Sequence, residues 1–175
     1  MSRVNKHIQF RIRHARSLES MSPCTRAAVG AVIFDPTTYT VIADGYNGGP
    51  RGGGPLCGGS TCVRNDMKIA SGTRCEVGCH HAEFNALANA ASAGAATRGA
   101  VMAVTCEPCL MCAKLIHHAQ IAALYYAPRG YSSHGVDYLR AHHVQVHSVG
   151  VTVSDWGGLA AYTAARDVTD ATSEG

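Results

Sequence analysis

Between residues 29 and 149 the chain carries its hydrophobic residues in an order that few folds accept. Val29-Gly-Ala-Val-Ile-Phe34 is an apolar run of strand length, Asp35-Pro-Thr-Thr is a turn, and Tyr39 to Ala43 is a second strand, so the pair predicts a hairpin. After a long interruption the order becomes helix (His81–Ala93, stopped at Gly94), strand (Ala100–Thr105), helix (Pro108–Gln120), strand (Ile121–Tyr126), helix (Val136–His143) and strand (Val144–Val149). Ahead of the hairpin, Val4, Ile8, Ile12, Ala15 and Leu18 recur at helical spacing between basic residues, which predicts an amphipathic helix ending near Pro23. Leu159 to Asp167 predicts a last helix, followed by a frayed end. A hairpin followed by alternating helices and strands packs in three layers, α/β/α, as a mixed five-stranded sheet covered by helices on both faces.

The interruption is a Gly/Cys-rich insertion at about residues 45–79. Eight of the sixteen residues from Gly45 to Ser60 are Gly and two are Pro, which leaves no regular element there. A long irregular loop inside a compact domain is functional or is pinned by something. The whole of 1–175 reads as one domain with no internal repeat. Apolar residues make up 46 % and charged residues 15 %, a globular profile. The net charge of +3, from 15 basic against 12 acidic side chains, is too weak to indicate nucleic acid and is compatible with a small anionic ligand. Met1 to Ser20 has no continuous apolar run and no segment is long enough to span a membrane, so a soluble, cytoplasmic protein is expected. In a reducing compartment eight cysteines argue for metal ligands before disulfides.

Two short segments carry the chemistry: His81-Ala82-Glu83 and Pro108-Cys109-Leu110-Met111-Cys112. Each opens a predicted helix. Cys109 and Cys112 are three apart and leave the same helix face, and a helix start favours the thiolates a metal requires. Two thiolates and one imidazole leave the fourth tetrahedral position of a zinc ion open for water, whose pKa the ion lowers to about 7. Glu83, two residues past His81, stands beside such an ion without binding it and is placed to carry protons. A lone C-x-x-C serves equally as a structural zinc knuckle or a redox pair, and a lone His-x-Glu carries little. The two together, with Pro ahead of the first Cys, form the signature of the zinc deaminases.

With these motifs the chain resembles the cytidine/deoxycytidylate deaminase superfamily, and within it the deoxycytidylate (dCMP) deaminases, over about residues 16 to 149. Val29-Gly-Ala-Val-Ile is similar to the family's first strand, Gly45-Tyr-Asn-Gly-Gly-Pro-Arg-Gly52 to its glycine loop, His81-Ala-Glu-Phe-Asn-Ala-Leu87 to its active-site helix, and Glu107-Pro-Cys-Leu-Met-Cys-Ala-Lys114 to its second metal segment. The resemblance implies a cytidine deaminase-like fold and hydrolytic deamination of dCMP to dUMP at a catalytic zinc on His81, Cys109 and Cys112. Glu83 would protonate ring nitrogen N3 and then the leaving amine, the Ala82 main chain would contact the base, Asn47 and Asn85 the sugar, and Tyr131 the substrate. A 5′-phosphate needs cationic donors, for which Arg26 and Arg51, in loops near the matched segments, are the candidates against the plainer reading of solvated surface arginines. The resemblance also suggests a second, structural zinc on Cys24, Cys57, Cys75 and Cys79, with Cys62 able to replace one member. It further implies a homo-oligomer, a hexamer, and control by dCTP and dTTP with a magnesium-nucleotide effector.

Rival readings are a deaminase of the same fold acting on a 5-substituted dCMP, a nucleoside, a free base, a riboflavin precursor or tRNA adenosine, and a non-catalytic zinc module. Glu83 separates the last, because a structural site has no use for an unliganded carboxylate. Cys106 reads as packing, and His117, His118, His142, His143 and His147 as surface or partly buried residues outside any ligand motif.

Overall fold

The computed structural model describes residues 3–50, 62–70, 73 and 75–150. The helix expected over 159–167, and the candidates Arg51 and Cys57, lie outside them. The elements run α1 (Arg3–Ser17), a 3-10 turn (Leu18–Met21), β1 (Gly30–Phe34), β2 (Val41–Tyr46), α2 (Val63–Asp66), α3 (Ala82–Ser92), β3 (Val101–Val104), α4 (Leu110–His118), β4 (Ala123–Tyr126), α5 (His134–Ala141) and β5 (Gln145–Ser148). The five strands form one mixed sheet in the order β2-β1-β3-β4-β5. β1 is antiparallel to β2 and β3, whereas β3, β4 and β5 are mutually parallel because α4 and α5 return the chain between them.

The two faces of the sheet follow from residue alternation along the strands. Ala31, Ile33, Met102, Val104, Leu124 and Tyr126 point to one side and pack on Ala82 and Ala86 of α3, Ala113 and Ile116 of α4, and Val136 and Leu139 of α5. Phe34, Val101, Ala103 and Ala123 point to the other and are covered by Ile8 and Ile12 of α1. The three-layer α/β/α arrangement with a mixed five-stranded sheet is therefore the observed fold.

Several boundaries differ from the sequence expectation, among them that of α5, which runs from His134 to Ala141 rather than from Val136 to His143. β2 begins at Val41 rather than Tyr39, because Tyr39 adopts φ 61°, incompatible with a strand, and stacks its ring on His7 at 3.9 Å. Pro108 precedes α4 instead of opening it, since Cys109 is the N-cap. The insertion is not wholly irregular: Val63–Asp66 forms a helical turn. Among the described residues, the three longer helices after the hairpin end the same way. Gly94, Gln120 and His143 take left-handed φ values of 67°, 58° and 62° one residue past the C-cap. The next N–H in each case reaches back five residues, Ala95 to Ala90, Ile121 to Ile116 and Val144 to Leu139, which is the Schellman closure.

Candidate metal centre and cleft

The site is built where two helices start. His81 caps α3 from an extended conformation (φ −74°, ψ 157°), and Cys109 caps α4 in the same way (φ −68°, ψ 165°). The Cys109 sulfur accepts from the Cys112 backbone N–H at 3.4 Å, so one turn of α4 presents both sulfurs. His81 Nδ1 lies 3.4 Å from Cys109 Sγ and 3.5 Å from Cys112 Sγ. Zinc bonds of about 2.3 Å to sulfur and about 2.0 Å to nitrogen at a tetrahedral angle separate the two donors by about 3.5 Å. The observed spacing and the donor set thus fit a zinc ion held by His81, Cys109 and Cys112.

α5 fixes the second motif from behind. A Cβ on Gly135 would stand 2.0 Å from the Pro108 carbonyl oxygen and 2.9 Å from that of Cys109. Gly135→Ala must therefore displace the metal segment or the helix. A loss of about 2–3 kcal/mol in stability is expected from such overpacking. Denaturant unfolding and zinc content per chain check it; an unchanged midpoint would show that α5 yields freely.

Charge within the donor set is strongly redistributed. A hydrogen bond from the Cys112 thiol, opposed by burial and aided by His81, lowers the Cys109 pKa to about 4. The same bond, with burial, pushes the Cys112 thiol far up, so the pair shares a proton. The hydrogen bond to Cys109 raises the His81 pKa against the effect of its burial. Glu83, on the first turn of α3, is 4 % exposed, and burial raises its carboxyl pKa despite the nearby His81. A buried carboxyl held above its ordinary range is suited to picking up and returning a proton.

A cleft opens onto these groups, and its wall includes Arg26, Asn47, Arg64, Ala82, Glu107 and Tyr131. The structure therefore brings together His81, Ala82, Glu83, Cys109, Asn47, Arg26 and Tyr131 from the sequence-derived set. Asn47 is committed to the protein: its side-chain oxygen accepts from Val29 N (2.7 Å) and Ser22 Oγ (2.8 Å), and its Nδ2 donates to Ala27 O (2.8 Å) and Cys79 Sγ (3.8 Å). It shapes the wall by holding residues 27–29. Asn85 is not part of that wall; its Nδ2 donates to Tyr46 O at 2.7 Å and, with Asn89 on Asp44 O at 2.8 Å, ties α3 to β2.

Arg64 was not singled out from the sequence. It enters the wall because Val63–Asp66 is helical, and the available signal was the break in glycine composition after Cys62. Its Nη2 donates to Thr73 O at 2.8 Å, its buried Nε has no hydrogen-bond partner among the described residues, and its charge acts on both His81 and Tyr131. Arg26 Nη1 donates to Ile69 O at 3.0 Å, so both guanidinium groups brace the segment that follows α2. Cys24, Cys62, Cys79 and Cys106 also line the cleft, and burial raises the Cys106 thiol pKa to about 12. Among the described residues only His81, Cys109 and Cys112 gather as three donors within 4.8 Å of one another; Cys24, Cys75 and Cys79 do not form such a group.

His-x-Glu on one helix start and Pro-Cys-x-x-Cys on the next, converging on one point of a three-layer α/β/α fold, define the zinc-deaminase class. Residues 5–128 match the family described as "Cytidine and deoxycytidylate deaminase zinc-binding region", and the chain belongs to that family. "ComE operon protein 2" of Bacillus subtilis (strain 168) is 35 % identical over 126 residues, covering 72 % of this chain and 61 % of that protein, so the match spans less than two thirds of its length. "Deoxycytidylate deaminase" of Mycobacterium phage D29 is 35 % identical over 120 residues, 64 % of this chain and 87 % of that one. The crystal structure of dCMP deaminase from the cyanophage S-TIM5 in complex with dCMP and dUMP superposes with a TM-score of 0.69 at 26 % identity, covering 85 % of this chain and 99 % of that one. Among the described residues no helix is long and apolar enough to cross a membrane.

Proposed function

We propose that this chain is a zinc-dependent hydrolase that converts dCMP to dUMP and ammonia. The observation that carries the reading is one cleft whose wall holds two of the three metal donors, His81 and Cys109, with a buried carboxyl and two arginines. His81, Cys109 and Cys112 would hold the ion, which when bound supplies an activated water to the ring carbon bearing the amine. Glu83 would carry one proton of that water to N3, which keeps it in the product, and then the remaining hydroxyl proton to the amine, which departs as ammonia. Ala82 is the first residue of α3, where backbone N–H groups lack intrahelical acceptors, and its main chain is the donor for the base oxygen. Tyr131 would lie against the bound nucleotide, and Asn47 and Asn85 would serve the sugar by shaping and anchoring the wall.

Arg26 and Arg64 are the donors proposed for the 5′-phosphate, with Arg51 a third cation from the sequence reading. Arg64→Ala and Arg26→Ala are each expected to raise KM for dCMP by about 10-fold or more, as loss of a charge-assisted contact does, while KM for deoxycytidine moves little. Equal effects on both substrates would remove the residue from the phosphate site. Ammonia release from dCMP, deoxycytidine, CMP, 5-methyl-dCMP and adenosine, measured in parallel on zinc-loaded protein, tests the whole reading. Turnover of another substrate alone leaves the chemistry and overturns the specificity; no turnover in folded protein brings the zinc-binding module forward.

A second zinc on Cys24, Cys57, Cys75 and Cys79 rests on the family resemblance, and because the three described sulfurs do not gather they would have to draw together to hold it. Two zinc ions per chain would support it and one would remove it. A homo-hexamer controlled by dCTP and dTTP, with magnesium-nucleotide as effector, rests on the family resemblance, and a cytoplasmic location on the sequence reading alone.

A further inference from the structure

The loop between β4 and α5 delivers Tyr131 to the cleft, and it has no ladder or helix of its own to hold it there. Two side chains hold it instead, and Glu107 makes the larger number of bonds to its backbone. The Glu107 carboxylate accepts from three consecutive backbone N–H groups: Arg129 at 3.0 and 3.1 Å, Gly130 at 3.0 Å and Tyr131 at 3.4 Å. Gly130 at φ 71° turns the three N–H groups toward one point, the kind of concavity that elsewhere captures a free anion. The Arg129 side chain completes the clamp from outside, donating to Ala28 O at 2.8 Å and to Glu19 at 2.5 Å, and Glu19 is also held by Arg16 at 3.2 Å.

The placement of Glu107 gives this clamp a function beyond loop stability. Glu107 joins Cys109 through Pro108 alone, and proline fixes its own φ, so the carboxylate is referenced to a metal donor by a short stiff link. Whatever positions Cys109 also positions the loop that carries Tyr131. Tyr131 is 42 % exposed on the cleft wall, and its ring would swing with its backbone if the three N–H groups were released.

We propose that Glu107 is a positioning residue that registers Tyr131 to the metal centre, and that through Tyr131 it sets the affinity for the nucleotide. The proposal rests on reading the cleft as a nucleotide deaminase site. Glu107→Gln keeps the size and removes the charge. It is expected to raise KM for dCMP roughly 10-fold, with kcat within about 2-fold and one zinc retained at the His81 centre. In a Tyr131→Ala background the same change should have little further effect, because the residue acts through the ring already removed. Independent, multiplying effects of the two substitutions would overturn the proposal, as would loss of that zinc in Glu107→Gln, which would make the role one of holding the metal segment. Amide hydrogen exchange gives a readout that needs no turnover: exchange at Arg129, Gly130 and Tyr131 should accelerate in Glu107→Gln while α3 and α4 stay protected. Unchanged protection of those three amides overturns the positioning role. A wild-type protein that leaves dCMP untouched would instead overturn the functional reading, with the clamp still decided by exchange.

Discussion

Glu83→Gln is expected to lower kcat for dCMP deamination by about 1,000-fold or more while zinc stays at one ion per chain in the His81 centre, in the range lost when a general acid-base group is removed. That factor corresponds to about 4 kcal/mol of the activation barrier. Glutamine keeps the packing of a side chain only 4 % exposed, so a folding defect is not the expected route to inactivity. What it removes is the ability to hold a proton and release it. Glu83 is suited to both, because burial raises its pKa while the neighbouring His81 pulls it down. Single-turnover rates and zinc content, measured on the same preparation, check this. A variant that kept more than a tenth of wild-type kcat would show that another group carries the proton.

Removing a donor should be as damaging by a different path. Cys109→Ala is expected to leave the His81 centre without zinc at neutral pH and to abolish turnover. It should also lower the melting temperature, since the ion would no longer tie the starts of α3 and α4 together. Acidity should produce the same loss in the wild type. In the metal-free protein the His81 pKa is raised and the Cys112 thiol keeps its proton, so an ion binds by displacing protons. Apparent zinc affinity should fall as pH falls, by about 10-fold per unit for each proton displaced. Competition with a chelator at pH 6, 7 and 8 measures the slope, and a flat profile would contradict the donor assignment. The metal-free fold should trend the other way. A raised His81 pKa contributes stability that is full below the ordinary value of 6.5 and is lost as pH rises through the folded pKa.

Much of this was legible in the sequence because the relevant signals are local. The strand alternation, the amphipathic first helix and the two helix starts carrying His81 and Cys109 depend on residues within a few positions of one another. Gly94 announced the end of α3, but the equivalent stops after α4 and α5 use Gln120 and His143, residue types for which the left-handed conformation is not preferred. Tyr39 had strand character, and its stacking on His7 overrode it. The roles of Arg64 and Glu107 were hidden for a different reason. Arg64 becomes a cleft residue through a helical turn inside a glycine-rich insertion, and Glu107 acts on backbone groups 22 to 24 residues away. No periodicity encodes such a partner.

The two ends of the insertion are joined by a single antiparallel bridge, Gly48 N to His80 O at 3.1 Å and His80 N to Gly48 O at 2.8 Å, immediately before His81. That bridge is one doorway at which the described ends of the insertion meet. The reacting groups belong to the starts of α3 and α4, whereas Cys62, Arg64 and Cys79 reach the cleft from inside the excursion. Closing a longer or shorter excursion at that doorway changes the loop entropy only slowly, by about 0.6 kcal/mol per doubling. The segment is thus a natural cassette. Replacing it between the bridge residues should exchange what the cleft selects while the chemistry stays in place.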